Sequence, residues 1–193
     1  MASSEEKQTN GGRRRLCRIL LFVLSILTLL ALISFDRHDV DFLTGGLGPD
    51  GVIRNWIGYF GAWISQFLLL TFGFASFVLT AVGVTASARR LFGSNGLRPV
   101  EWDYWASIGL VTLGAAMVFG IWPEFGAEAA RRFNIAETPG GIIGQRLCSP
   151  DGGWIRIILN RPGSAIVSIT LVLVGVGVVW IYDWHDLVRE KLA

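Results

Sequence analysis

The charged residues of this chain lie outside four long apolar stretches. These stretches contain no Asp, Glu, Lys, Arg or His, and they cover residues 19–35, 57–88, 104–122 and 164–182. A helix rises about 1.5 Å per residue, so about 20 residues cross the roughly 30 Å hydrocarbon layer of a bilayer. The sequence therefore predicts an all-α membrane protein with four transmembrane helices.

The composition agrees with a membrane protein and excludes several soluble classes. Apolar residues make up 52% of the 193 residues, charged residues make up 17%, and the mean hydropathy is +0.51. Soluble domains carry about 25% charged residues. Buried helices of a soluble protein are the alternative, but four helices without a polar face leave nothing to meet water. The formal net charge of +2 gives no indication of nucleic-acid binding.

The second stretch is too long for one upright crossing. Residues 55–63 are rich in aromatic residues and glycine, which indicates an interfacial segment before a span of about 64–87. A membrane domain of 16–182 is predicted between a disordered basic N-terminus of 1–15 and a tail of 183–193. The predicted spans are about 17–35, 64–87, 104–122 and 164–182.

Basic residues near the span ends predict the orientation. They cluster before the first span, between the second and third, and after the fourth. Because short cytoplasmic segments are enriched in Lys and Arg, both termini of this multi-pass protein are predicted to be cytoplasmic. The residues are Arg13, Arg14, Arg15, Arg18, Arg89, Arg90, Arg98, Arg189 and Lys191.

A cleaved signal peptide is the main alternative for the first stretch. A basic segment followed by an apolar run suits such a peptide. However, the run exceeds the usual core of about 7–15 residues, and no small-x-small cleavage site follows before Asp36. Cleavage would leave three spans, with the C-terminus alone in the cytoplasm.

The segment 123–162 joins the third and fourth spans on the outer side. Its Glu124, Glu128, Arg131 and Arg132 have the spacing of a short polar helix. Its two apolar runs, near 139–144 and 154–159, are too short to cross a bilayer. They are predicted to lie in the outer interface or to dip into the membrane as a re-entrant turn, and a solvated loop is the ordinary alternative.

No catalytic, cofactor or metal site is predicted. The two lysines lie near the chain ends and neither belongs to a glycine-rich phosphate loop. His38 and His185, like Cys17 and Cys148, fall on opposite sides of the predicted membrane. Acidic residues and a histidine at 36–41 have spacing that a metal could use, but an exposed acidic loop is the commoner structure. Ion-coupled carriers need ionisable groups inside the spans, and these spans have none.

Small residues recur every fourth position in three of the stretches. This spacing lets the backbones of membrane helices approach closely, so these positions are predicted to be packing faces. They are Thr112, Ala116 and Gly120, then Ser164 and Ser168, and finally Gly58 and Ala62.

Four short motifs occur in order around the spans. Residues 31–36 end the first span and are followed by Asp39, residues 55–62 read N-x-x-G-x-x-G-A, residues 72–75 read F-G-F-A, and residues 140–144 read G-G-x-x-G. In this order and placement they resemble the four-span N-terminal membrane domain of the FtsK/SpoIIIE DNA translocases. The matching motif residues, to which the resemblance gives a structural role, are Asn55, Gly58, Gly61, Ala62, Gly73, Gly140, Gly141 and Gly144.

The resemblance implies a role in cell division and chromosome segregation. In that family the membrane domain anchors a cytoplasmic DNA-pumping ATPase at the division septum. The chain ends shortly after Tyr182, so the linker, motor and DNA-reading domains are expected to be missing. We therefore expect a non-catalytic anchor without cofactor or direct nucleic-acid binding, which forms a homo-oligomer and meets division proteins or a separate ATPase. The alternative is a subunit of a small oligomeric channel or transporter.

Overall fold

Long α-helices make up most of the described chain. The computed structural model describes residues 2–41, 46–48, 51–92, 102–133 and 139–192. Between the first two helices, β1 (Val40–Asp41) and β2 (Gly46–Leu47) pair as a short antiparallel hairpin. The helices are α1 (Ala2–Ile33), α2 (Gly58–Phe72), α3 (Ala75–Phe92), α4 (Trp102–Ile121), α5 (Ala127–Arg132), α6 (Gly141–Cys148) and α7 (Trp154–Leu192).

Three of these helices are each long and apolar enough to cross a membrane. The apolar windows are Arg15–Ile33 in α1, Tyr104–Ile121 in α4 and Trp154–Val179 in α7. Helices α2 and α3 pass the same test only as a pair, so the described residues contain three candidate spans, or four when the pair forms one. The fold is therefore a helical membrane fold, and it is consistent with the predicted four crossings.

The second span is broken, in contrast to the predicted continuous span of 64–87. Helix α2 begins at Gly58, inside the segment expected to lie at the interface, and ends at Phe72. Helix α3 begins at Ala75, and the two axes are bent by 118°. The break has a local cause, because Gly73 has a φ of +60°, which does not continue a helix.

A kink separates the apolar run 154–159 from the predicted fourth span of 164–182. Helix α7 extends from Trp154 to Leu192, but it consists of two helices joined across this kink, and residues 154–159 form the first of them. The backbone is non-helical at Asn160, which has a φ of 54°, and Pro162 follows within the helix. Proline cannot donate a backbone hydrogen bond, which explains why the helix changes direction there.

Both ends of the chain are more helical than the sequence predicted. Helix α1 begins at Ala2, although residues 1–15 were expected to be disordered. Helix α7 continues to Leu192 and so includes most of the predicted tail.

The segment between α4 and α7 contains the predicted short polar helix and one more. Helix α5 has Glu128 in its first turn and Arg131 and Arg132 in its last, an order that suits the helix dipole. Helix α6 follows with Gly141, Gly144 and Cys148 buried. It packs against α4, α2 and α7, so this part of the segment is not a solvated loop.

Helix α4 lies at the centre of the bundle. In its apolar window 56% of the residues are buried, against 11% in the window of α1 and 17% in that of α7. Helix α7 packs along α4, while α3 packs against both α1 and α4. Most of the exposed side chains described in the apolar windows of α1 and α7 are themselves apolar, which suits contact with hydrocarbon chains.

Candidate functional site: two contact networks between helices

The carboxylate of Asp39 is buried in the segment between α1 and α2. Only 1% of the residue is exposed. Its Oδ1 accepts the backbone N–H of Arg54 at 2.7 Å, and its Oδ2 accepts the N–H of Asn55 at 2.8 Å. The Asp39 carbonyl also accepts the N–H of Gly48 at 3.1 Å. A buried carboxylate is costly without such partners, so these bonds fix the chain before α2 against the hairpin.

The side chain of Asn55 connects this segment to α1. Its Nδ2 donates to the carbonyl of Ala31 at 2.8 Å, and its Oδ1 accepts the N–H of Ile57 at 3.0 Å. Because α1 ends at Ile33, no backbone N–H of the helix bonds to the carbonyl of Ala31. This carbonyl therefore needs a donor from outside the helix. Asn55 therefore caps the end of α1, and we call these bonds, with those of Asp39, the Asp39–Asn55 network.

Helix α2 approaches this network closely at Gly61, where there is no side chain to keep the helix away from Asn55. A Cβ at Gly61 would lie 2.5 Å from the Asn55 Oδ1 and 2.5 Å from the Ile57 Cβ. Gly58 has a φ of +74°, a conformation that favours glycine, and Ala62 is 1% exposed. The structure thus brings together four of the motif residues predicted from the sequence.

A small ion-pair cluster covers the network on its exposed side. The Oδ1 of Asp36 lies 3.0 Å from the His38 Nδ1, and its Oδ2 lies 3.4 Å from an Arg54 guanidinium nitrogen. The backbone N–H of His38 donates to the same carboxylate and, with these neighbours, lowers the Asp36 pKa below its ordinary value. Among the described residues, no group of three His, Cys, Asp or Glu side chains could hold a metal ion.

Two of the other four motif residues, Gly73 and Gly141, meet at the break between α2 and α3. The N–H of Phe74 donates to the carbonyl of Pro139 at 2.9 Å instead of continuing α2. A Cβ at Gly73 would overlap that carbonyl and would lie 2.6 Å from the backbone nitrogen of Gly141. Gly141 has a φ of +66°, and a Cβ there would lie 2.7 Å from the carbonyl of Thr71. The broken span and the start of α6 are therefore in backbone contact.

Helix α6 is in equally close contact with α4. A Cβ on Gly140 or on Gly144 would overlap the carbonyl of Ala116. A Cβ on Gly120 would overlap the carbonyl of Gly144. Only glycine allows backbones to pack at this distance. We call the contacts of Gly73, Gly120, Gly140, Gly141 and Gly144 the glycine junction.

The packing between α4 and α7 uses small residues as well. A Cβ at Gly114 would lie 2.8 Å from the carbonyl of Ser168, and one at Gly175 would lie 2.7 Å from the carbonyl of Ser107. Ser164 and Ser168 are completely buried, and Ala116 and Gly120 pack on α6. The small-residue faces predicted on α4 and α7 therefore lie at helix contacts, although Thr112 bonds to the Ile108 carbonyl of its own helix. On α2, Ala62 is buried, but a Cβ at Gly58 would meet nothing within 4 Å.

Sequence reasoning missed several residues of these networks. The sequence predicted Asp39 in an exposed acidic loop. Its position just after the motif at 31–36 was the one sequence feature that distinguished it from the other acids there. Gly114 and Gly175 do not belong to a series of small residues at every fourth position, so the spacing did not indicate them. The carbonyl of Pro139 is a backbone acceptor, and no side-chain pattern identifies such an acceptor.

Comparison with known proteins identifies a family for this architecture. The family model that matches is the 4TM region of DNA translocase FtsK/SpoIIIE, and the match covers residues 12–192. The chain is 29% identical to DNA translocase FtsK of Shewanella oneidensis over 206 aligned residues, which cover 100% of this chain and 22% of that protein. It is 24% identical to DNA translocase FtsK 2 of Ralstonia nicotianae over 178 residues, 89% of this chain and 22% of that protein.

The chain thus spans about a fifth of the length of these curated relatives. No solved structure matches the chain.

Proposed function

The chain belongs to the FtsK/SpoIIIE family through its four-span membrane region, and on this premise we propose that it is a non-catalytic anchor and assembly module of a DNA translocase. The observation that carries the proposal is the family match over residues 12–192, which falls on the membrane region and not on the motor domain. ATP hydrolysis and DNA movement then belong to a cytoplasmic motor, which the anchor holds at the membrane.

The two networks support this role mechanically. A motor attached beyond α7 would load α7 first, and the contacts at Gly114 and Gly175 would pass that load to α4. The glycine junction connects α4 to α6 and to the broken span. The Asp39–Asn55 network connects the broken span to α1. Backbone contacts and buried hydrogen bonds resist displacement better than loosely packed side chains, which suits an anchor.

We further propose that both termini face the cytoplasm and that the module works in the bacterial inner membrane at the division septum. The arginines around the start of the apolar window of α1 and near the end of α3 support this orientation, because positive residues favour the cytoplasmic side. The septal location comes from the family role. Self-association and contacts with division proteins belong to the same proposal, and the exposed apolar faces of α1 and α7 offer surfaces for them.

A fusion experiment tests the anchor role. A translocase motor without its own membrane region is joined to the C-terminus of this chain through a fluorescent protein, and cells are imaged and fractionated. We expect the motor in the membrane fraction and enriched at division sites. A motor that stays soluble, or one spread evenly around the membrane, would contradict the anchor role or the septal location respectively.

The alternative function is a channel or transporter subunit. The 118° bend between α2 and α3 favours it, because bent or broken helix pairs also line the pores and binding sites of membrane proteins. Reconstitution into liposomes tests this function directly. Ion or solute flux that depends on the purified protein would support the channel, whereas liposomes as tight as empty ones would favour the anchor.

A further inference from the structure

A cavity of about 830 Å³ opens between the segment that follows α1 and the end of α5. Part of its lining is apolar and includes Ile33, Phe35 and Phe133. The rings of Phe35 and Phe133 lie 6.2 Å apart, so they join the two elements. The basic part of the lining consists of Arg37, His38, Arg131 and Arg132. We call this space the basic cavity.

The basic cavity carries an excess of positive charge. Among the described residues that line it, the one acid is Asp36, which is already bonded to His38 and paired with Arg54. Across the described ranges, no ion pair involves Arg37, Arg131 or Arg132. All three arginines are exposed, so their guanidinium groups are accessible to an anion.

The position of the cavity matches the headgroup layer of a membrane. The apolar window of α1 ends at Ile33, which itself lines the cavity and is 54% exposed. Farther along the same helix, Leu20, Leu24 and Leu27 are exposed toward the hydrocarbon region. A ligand that occupies the cavity therefore meets positive charge at one end and a continuous apolar helix surface at the other.

We propose that the basic cavity binds the headgroup phosphate of an anionic phospholipid, whose acyl chains lie along the exposed apolar surface of α1. Guanidinium groups bind phosphate oxygens through charge-assisted, often paired hydrogen bonds. A free phosphate ion would use the arginines but would leave the apolar lining beside Ile33, Phe35 and Phe133 without a partner. The combination of arginines and apolar side chains in the lining therefore favours a phospholipid over a free phosphate ion.

Lipid binding to the purified full chain in a neutral detergent tests the proposal. The probes are dioleoyl phosphatidylglycerol, dioleoyl phosphatidylcholine and inorganic phosphate, and native mass spectrometry gives the apparent Kd of the first bound lipid. We expect a clear preference for phosphatidylglycerol. The double variant Arg131→Gln/Arg132→Gln should weaken its binding about ten-fold or more, because each basic residue near a membrane surface contributes about a five-fold factor.

A matched variant separates this site from general charge attraction. Arg15→Gln/Arg18→Gln removes the same charge at the opposite end of the α1 span, and it should change the Kd less than about two-fold. Arg37→Gln tests the cavity from a different segment and should weaken binding about five-fold. Equal losses in the two double variants, equal binding of the two lipids, or displacement of phosphatidylglycerol by millimolar phosphate would each overturn the proposal.

Discussion

At the scale of single residues, the buried side chains of Asp39 and Asn55 bond to backbone groups, as helix caps and turn residues do in soluble proteins. Asn55 uses both ends of its amide, one toward the Ala31 carbonyl and one toward the Ile57 N–H. Asp39 uses both carboxylate oxygens. Both side chains are buried and bonded to backbone groups, which fits a structural role better than a catalytic one.

Asp39→Asn should lower the free energy of unfolding by about 2 kcal/mol, because the amide NH₂ would face backbone N–H donors and leave a buried bond unmade. Denaturation in mixed micelles, followed by circular dichroism, measures the loss. Asp151→Asn is the matched control, since Asp151 is exposed and should tolerate the change. Equal stability of the two variants would show that the Asp39–Asn55 network contributes nothing.

Cys148 should react slowly with maleimide in the folded protein. Burial raises the pKa of its thiol from 9.0 to about 11, with Arg156 partly opposing the shift. The thiolate is the reactive form, so at neutral pH its population falls about a hundred-fold. In a Cys17→Ser background, the labelling rate should still rise between pH 9 and 11, and it should increase sharply on unfolding. A rate that reaches a plateau near pH 9 would contradict the buried position.

The motif at 55–62 identified Asn55 in the sequence. No sequence pattern identified the backbone groups to which Asn55 bonds. The Ala31 carbonyl needs a donor only because α1 ends at Ile33, and Asn55 reaches it only because the hairpin returns the chain to that place. Asp39 looked like one of several acids in a polar loop. Its burial depends on that same return, which involves contacts between residues far apart in sequence.

At the scale of secondary-structure elements, helices meet through glycine. The glycine junction should therefore fail when a methyl group is added. Gly144→Ala should destabilise the protein by about 1–3 kcal/mol, since the new Cβ would overlap the Ala116 carbonyl on α4. Thermal denaturation in detergent measures the effect.

Gly109→Ala provides the control for this variant. It also lies in a helix, but a Cβ there meets nothing within 4 Å. Alanine favours helix over glycine by about 1 kcal/mol, so this variant should be neutral or more stable. If Gly144→Ala behaved in the same way, the close approach of α4 and α6 would be wrong.

The elements differ in how far the sequence predicted them. The spans in α1 and α4 followed from length and the absence of charge, because a bilayer imposes both. The break at Gly73 did not follow, since glycine is common in membrane helices. The break is stabilised by the Pro139 carbonyl, which comes from a distant segment.

At the scale of the whole molecule, each network connects a different pair of spans. The Asp39–Asn55 network connects α1 to the broken span, the glycine junction connects that span to α4, and small residues connect α4 to α7. The family match over residues 12–192 covers all of these contacts. If the bent α2–α3 pair crosses the membrane, these contacts connect all four spans in one continuous series.

That crossing is the central claim, and reporter fusions test it most directly. Green fluorescent protein and alkaline phosphatase are fused in turn after Asp41, within 93–101, after Phe133 and at the C-terminus. We predict fluorescence without phosphatase activity at 93–101 and at the C-terminus, and the reverse at the other two positions. Phosphatase activity at 93–101 would mean that α2 and α3 return to the side they came from, and it would contradict the four-span account.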